Sequence, residues 1–274
     1  MNRSDIPTGT QECLAYEEAG VAVITLNRPQ ARNALTKEML GGLEKALDYA
    51  ERSASVRAVV VTGAGGAFCA GGDVKNMASR TETDGPSVDE RIHMQRLNQR
   101  NTAGRMYLMP KPVTAMLPGA AAGAGLSLAL SADIRTMADT AFITTAFARV
   151  GFSGDYGGTF FLSRLVGSGK ARELYFLSDR VSADECKRLG IANFVFTADQ
   201  LEQQTMALAR RLAAGPPVAY RYMKENLNRS AMRADVIECL DLEATHHVHA
   251  GLTEDHRNAA QAFVDKREPV FKGR

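Results

Sequence analysis

The sequence predicts an α/β core followed by a helical tail, the core wound as a spiral of similar turns and not as a Rossmann sheet. Three observations predict it. Val59-Val60-Val61-Thr62 is an apolar β-branched run that stops at a glycine cluster, Gly63, Gly65, Gly66, Gly71 and Gly72. A second unit of the same kind follows, Val113-Thr114-Ala115-Met116-Leu117, then Pro118-Gly119 and small residues as far as Gly125. After Phe194-Val195-Phe196 the apolar spacing turns almost wholly helical. Glycine-rich turns let the backbone approach a ligand closely. Two of them can aim free amide N–H groups at one point, which is what an oxyanion hole requires.

Taken in order, Cys13–Glu18 and Val21–Leu26 flank Ala19-Gly20 and read as a hairpin. Thr36 reads as an N-cap, and Leu35, Met39, Leu40, Leu43, Ala46, Leu47 and Ala50 recur at helical spacing. Asp73 precedes an expected short helix at 74–78, and residues 79–87 (SRTETDGPS) form the clearest loop. A helix is expected over 88–109, ended by Pro110 and Pro112. A buried helix begins at 126–130, and short strands are expected at 133–138 and 141–144. Helices are expected at 157–165, 170–177 and 183–189, then at 199–214, 218–230, 234–250 and 253–266. The division is placed at 1–200 for the core and 201–274 for a helical region serving self-association.

Bulk properties narrow the function. With 274 residues, 45% hydrophobic and 23% charged, the chain can bury a substantial core. A net charge of +2 gives no broad basic field, so neither nucleic acid nor an anionic membrane is expected as a partner. No apolar run is long enough to span a bilayer, and the start, MNRSDIPTGTQE, lacks the apolar core of a secretory signal. Cys13, Cys69, Cys186 and Cys239 are widely spaced and read as reduced thiols of a cytoplasmic protein. His246, His247 and His249 sit together on one expected helix and read as a solvated face, not a metal site. Gly63-Ala64-Gly65-Gly66 lacks the dinucleotide spacing, and no P-loop is present.

Several segments together resemble the crotonase (enoyl-CoA hydratase/isomerase) superfamily. They are Asn27-Arg28-Pro29-x-Ala31-x-Asn33-Ala34-Leu35, Ala67-Phe68-Cys69-Ala70-Gly71-Gly72-Asp73-Val74, and Gly119-x-Ala121-x-Gly123-x-Gly125 with Ala132-Asp133-Ile134. Gly157-Gly158-Thr159, Arg164-Leu165-Val166-Gly167 and the tail Phe263-Val264-Asp265-Lys266-Arg267 complete the set. The resemblance implies a crotonase-like spiral of ββα turns with two roughly perpendicular sheets, plus a C-terminal helical region that builds trimers or dimers of trimers. It implies an acyl-CoA thioester as substrate, and no cofactor apart from coenzyme A as part of that substrate. It assigns the two oxyanion-hole amides to Gly72 and Ala124. It also puts Ala70 along the adenine, Lys75 near the CoA chain, Arg32 at the phosphates, and Phe263 and Lys266 as caps from a neighbouring subunit. Asp73 falls in the same CoA-side motif, where capping the next helix is the plainer role.

The chain departs from the hydratase pattern. The two glutamates that hold water in a hydratase of this family fall on Ser127 and Phe147, and neither can act as a general base. One carboxylate falls in the right region, Asp155 in Ser153-Gly154-Asp155-Tyr156-Gly157-Gly158. Its position resembles the catalytic aspartate of the phenylacetate-pathway ring-type enoyl-CoA isomerases and the nucleophilic aspartate of 4-chlorobenzoyl-CoA dehalogenase. The alternative role is a helix N-cap. Tyr156 reads as packing, Ser127 as a hydroxyl bonded to its own helix, Asp133 as an anchor for a strand end, and His93 as exposed. Cys69 has no neighbouring base and makes a poor nucleophile. The expectation is double-bond isomerisation with Asp155 as acid/base. The alternatives are hydration with a non-standard acid/base set, aspartate-nucleophile hydrolysis or dehalogenation, and an inactive CoA- or RNA-binding relative.

Overall fold

Apolar runs rich in β-branched residues form the central strands of the larger of two sheets. The computed structural model describes residues 3–73, 85–231 and 235–274. The expected helix at 74–78, with Lys75, and residues 79–84 of the polar segment lie outside the described residues. The strands are β1 (Ser4–Asp5), β2 (Cys13–Glu18), β3 (Val21–Leu26), β4 (Ala58–Gly63), β5 (Ala67–Cys69) and β6 (Val113–Leu117). They continue with β7 (Ala120–Ala122), β8 (Ile134–Ala138), β9 (Phe142–Thr144), β10 (Val181–Ser182) and β11 (Phe194–Phe196).

The large sheet runs β1-β2-β3-β4-β6-β8-β11 and the small one β10-β9-β7-β5. Three times in succession the chain gives one strand to each sheet: β4 then β5, β6 then β7, β8 then β9. That repetition is the spiral. In the large sheet β3, β4, β6, β8 and β11 pair in parallel, whereas β1 pairs antiparallel with β2, and β2 with β3 about the Ala19-Gly20 turn. β4 and β6 are buried at every position, as expected of parallel strands covered on both faces.

Helix α1 (Lys37–Arg52) starts where Thr36 Oγ1 accepts from the Met39 N–H at 3.0 Å. It buries Met39, Leu43, Ala46, Leu47 and Ala50 on one stripe. Helix α2 (Val88–Gln99) continues through a π-helical turn, Arg100–Gly104, into Arg105–Leu108. Helix α3 (Ala124–Leu130) is buried throughout. Helix α4 (Gly158–Leu177) is broken at Gly167 (φ 76°, ψ 161°), where two separate helices were expected. Helix α5 (Ala183–Arg188) follows.

Helix α6 (Leu201–Ala213) lies in the region the sequence reading assigns to the tail. It lays Leu201, Met206, Ala209 and Ala213 into the core, and Thr205 meets Thr136 of β8 hydroxyl to hydroxyl at 2.8 Å. Helices α7 (Pro217–Ser230), α8 (Val236–Gly251) and α9 (Glu254–Val264) are largely exposed. Lys224 of α7 is buried, as are His246 of α8 and Asp255 and Ala262 of α9. The Lys224 ammonium donates to Asp133 Oδ2 at 2.8 Å and to the Met106 carbonyl at 2.9 Å. Asp133 Oδ2 also accepts from the Val113 N–H at 2.7 Å, so it anchors the start of β6. Among the described residues no helix is long and apolar enough to cross a membrane.

The loop before α1 is fastened to the first glycine turn by one side chain. Asn33 is fully buried with φ 57°, a left-handed conformation that asparagine tolerates. Its Nδ2 donates to the carbonyls of Ala64 (2.9 Å), Ala67 (2.8 Å) and Phe68 (3.2 Å), and its Oδ1 accepts from the Arg28 N–H at 2.9 Å. Replacing Asn33 by Ala leaves those buried groups unpaired, so stability should fall by about 2–4 kcal/mol. Asn33→Asp should cost at least as much, since a carboxylate offers the carbonyls no N–H. Urea midpoints check this; midpoints equal to that of the parent chain would show that the clamp contributes nothing.

Candidate active site

The two glycine turns are held side by side by strand pairing. β5 runs parallel to β7, with Ala67 opposite Ala120 and Cys69 opposite Ala121. Beyond β5, the Leu35 N–H donates to the Gly71 carbonyl at 2.8 Å and the Ala70 N–H to the Arg32 carbonyl at 2.9 Å. The first turn is thus stitched to the 32–35 segment on one side and to the second turn on the other. Gly71 has φ +89°, and a Cβ there would lie 2.8 Å from the Ala122 carbonyl oxygen and 3.3 Å from the Ala124 nitrogen. A Cβ at Gly125 would lie 2.7 Å from Cys69 Sγ. Glycine is required because two backbones pass in contact.

That closeness brings Gly72 and Ala124 to one place. Among the described residues neither amide N–H has an acceptor. Ala124 is the first residue of α3, where a helix leaves its N–H groups unsatisfied. A cavity of about 510 Å³ is lined by Gly72, Ala124 and Asp155 together, with Leu35, Asp73 and Tyr156.

Asp155 has no cap to make. The N-cap of α4 is Gly157, with no side-chain hydrogen bond there. Asp155 Oδ1 is buried, and no described residue donates to it. Burial pushes its pKa up to about 6. Its charge is felt nearby: it helps to raise Tyr156 and Tyr175, the latter to about 12, behind the larger effect of burial on each. Glu38 and Asp73 also line the cavity, and Asp73 differs from Asp155. Asp73 Oδ2 accepts from both terminal nitrogens of Arg28 at 3.2 Å, and Arg28 also donates to the Ala34 carbonyl at 2.8 Å.

The two positions mapped to the hydratase glutamates have other occupations. Ser127, buried, donates from Oγ to the Gly123 carbonyl at 3.2 Å, one turn back on its own helix. The Phe147 ring stacks on Tyr175 with centroids 5.8 Å apart and planes 9° from parallel. Cys69 is a structural thiol: it donates to the Asn33 carbonyl at 3.0 Å, and burial pushes its pKa up to about 12.

Of the residues assigned to CoA, Ala70 is half-buried beside the first turn and Arg32 is exposed on the adjoining segment. Asp73 lines the cavity, and Lys75 lies outside the described residues. Phe263, 86% exposed, and Lys266 sit at the end of the tail and do not line the cavity of their own chain. His93 is exposed. The sequence assigns no role to Arg28 or Asn33; it places part of the pocket wall on the helix after residues 79–87 without singling out Gln95 and Asn98 of α2, which line the cavity. Their signal was there: Gln95, Asn98 and Gln99 are spaced three and four residues apart, on one face of an expected helix.

The sequence profile of the enoyl-CoA hydratase/isomerase family matches residues 16–274. The 1,2-epoxyphenylacetyl-CoA isomerase of Escherichia coli (strain K12) is 35% identical over 261 residues, which cover 95% of this chain and 98% of that one. The short-chain-enoyl-CoA hydratase of Clostridium acetobutylicum is 34% identical over 260 residues, 94% of this chain and 97% of that one. A crystal structure of an enoyl-CoA hydratase from Bacillus anthracis superposes with a TM-score of 0.88 at 32% identity, covering 96% of this chain and 100% of that one. Two sheets built by a repeating strand pair, a helical C-terminal region and these likenesses agree, and the fold is the crotonase-like spiral. The chain belongs to the enoyl-CoA hydratase/isomerase family and is an enzyme of that lyase or isomerase type.

Proposed function

We propose that this enzyme shifts the double bond of an acyl-CoA thioester, with Asp155 as the acid/base. One observation carries the reading: a carboxylate raised to a pKa of about 6 shares a cavity with two amides, and among the described residues neither its buried oxygen nor those amides has a partner. One relative is named an isomerase and another a hydratase, so names do not choose between the reactions, and the site residues favour the isomerase reading. Ser127 and Phe147 supply no pair of bases for water.

In this reading the thioester carbonyl lies between the Gly72 and Ala124 N–H groups. Asp155 takes a proton from the acyl α-carbon of a 3-enoyl thioester. The C–H electron pair moves into the dienolate, whose negative charge rests on the carbonyl oxygen. The Asp155 carboxylic acid then returns the proton to the γ-carbon, and a 2-enoyl thioester of unchanged mass leaves. The steps are proton transfers and call for no metal or redox cofactor. One oxyanion donor is typically worth about 3 kcal/mol of transition-state stabilisation. A base with a pKa near 6 is ionised at neutral pH yet basic enough to act. CoA itself is held, on this reading, by Arg32, Ala70, Asp73 and Lys75, and by Phe263 and Lys266 of a neighbouring subunit. Val236, Ile237, Leu240, Val248 and Leu252 expose an apolar surface on α8 and the residue after it, which suits assembly into trimers or pairs of trimers. Four free thiols suit a cytoplasmic setting.

Crotonyl-CoA, 3-hexenoyl-CoA and a 4-halobenzoyl-CoA, with products followed by mass, distinguish the reactions. The reading predicts conversion of 3-hexenoyl-CoA at constant mass; gain of water or release of CoA as the main product would replace it. Asp155→Ala should lower kcat by about 10²–10⁴-fold, and kcat/KM of the parent enzyme should rise with pH up to about 6 and then level.

Stability gives a second check. The folded-state pKa of Asp155 lies above the unfolded value, so ionisation disfavours the folded state. The penalty is absent below about pH 4, grows to pH 6 and is full above it, at most about 3 kcal/mol. Asp155→Asn should therefore stabilise the protein at pH 8 and not at pH 4; equal gains at both would contradict the raised pKa. Sedimentation velocity should give a mass three or six times 29.6 kDa, and a monomer would remove the assembly from the proposal.

A further inference from the structure

The turn that presents Asp155 is irregular. Gly154 (φ +116°), Tyr156 (φ +48°) and Gly157 (φ +76°) all have left-handed backbone around it. Tyr156 is not a glycine, so its conformation must be held by something outside the turn. Within the turn, one hydrogen bond is local: the Gly158 N–H donates to the Asp155 carbonyl at 3.0 Å. The tether from outside comes from 57 residues away, where the Tyr156 N–H donates to Gln99 Oε1 at 2.7 Å. Tyr156 is 4% exposed, and without Gln99 its N–H would have no acceptor among the described residues.

Gln99 is placed by an irregularity of its own. It is the last residue of α2 before the π-helical turn Arg100–Gly104. Such turns re-aim the side chains at their edges and recur at functional sites. On the same helix Asn98, the residue before Gln99, and Gln95, one turn earlier, line the cavity that contains Asp155. A single side-chain amide therefore sets the register between the helix that walls the cavity and the turn that carries the carboxylate.

We infer that Gln99 is a positioning residue: by accepting from the Tyr156 N–H it fixes where Asp155 meets the acyl α-carbon, without touching the reacting atoms. The inference rests on the reading of Asp155 as the acid/base. Leucine at 99 keeps the bulk and removes the acceptor. Glutamate keeps an acceptor oxygen and adds a negative charge close to the Asp155 turn, which should raise the pKa of Asp155 further.

The test uses the full-length enzyme with 3-hexenoyl-CoA as probe. It reads kcat, KM, the pH profile and deuterium uptake at the acyl α-carbon in D₂O. Gln99→Leu should lower kcat and α-deuteration together by about 10- to 100-fold, with KM within about threefold of the parent. Gln99→Glu should restore kcat to within about threefold and move the acid limb of the profile to higher pH. Should Gln99→Leu be insoluble, the Gln99→Glu profile decides alone, and an unmoved acid limb overturns the inference. It is also overturned if Gln99→Leu keeps full kcat while Asp155→Asn is inactive, or if both Gln99 variants fall equally with the acid limb unmoved. An active Asp155→Asn overturns the reading beneath it, and the role of Gln99 with it.

Discussion

The site depends on the pairing of two very short strands. Ala67–Cys69 and Ala120–Ala122 belong to successive turns of the spiral, yet they lie side by side in the small sheet. A parallel pair this short has little intrinsic stability. It is held because each strand follows directly from a fully buried strand of the large sheet, β4 or β6. The glycines at 71 and 125 are consequences: side chains there would force the two backbones apart. Asn33 completes the arrangement by gathering three carbonyls of the first turn. The energy that places the two amides is thus spread through the core and owes little to the turns themselves.

Two of the carboxylates that line the cavity, Asp73 and Asp155, sit under opposite conditions. Asp73 is tied to the Arg28 guanidinium, which is fixed in turn by the Ala34 carbonyl. Asp155 has no donor to its buried oxygen among the described residues, and its pKa climbs to about 6. When environments separate two titratable groups in this way, the structural and chemical roles separate with them. The Arg28–Asp73 pair follows immediately on Gly72 and holds that end of the first turn. The strain of an unpaired carboxylate is concentrated at Asp155, where chemistry can use it.

Much of this was legible in the sequence, and the rest was hidden for physical reasons. Apolar spacing marks α1 with its Thr36 cap, because burial on one face leaves a period, and continuous apolar runs mark β3, β4 and β6, because these strands are covered on both faces. The strands β5 and β7 read as parts of glycine turns, since three small residues carry no periodicity. Helix α6 read as part of the tail because an amphipathic stripe does not say which surface it covers. The motif residues Arg28 and Asn33 were visible, but their roles depend on partners more than thirty residues away. Gln99 left still less trace: an amide on a polar helix face means nothing until a turn 57 residues later is folded against it.

A crystal structure of the protein with a bound acyl-CoA tests the central claim most directly. The account predicts the thioester oxygen within about 3.2 Å of both the Gly72 and Ala124 nitrogens, with the acyl α-carbon facing Asp155. A thioester oxygen held elsewhere, with either amide turned to an acceptor inside the protein, would contradict it.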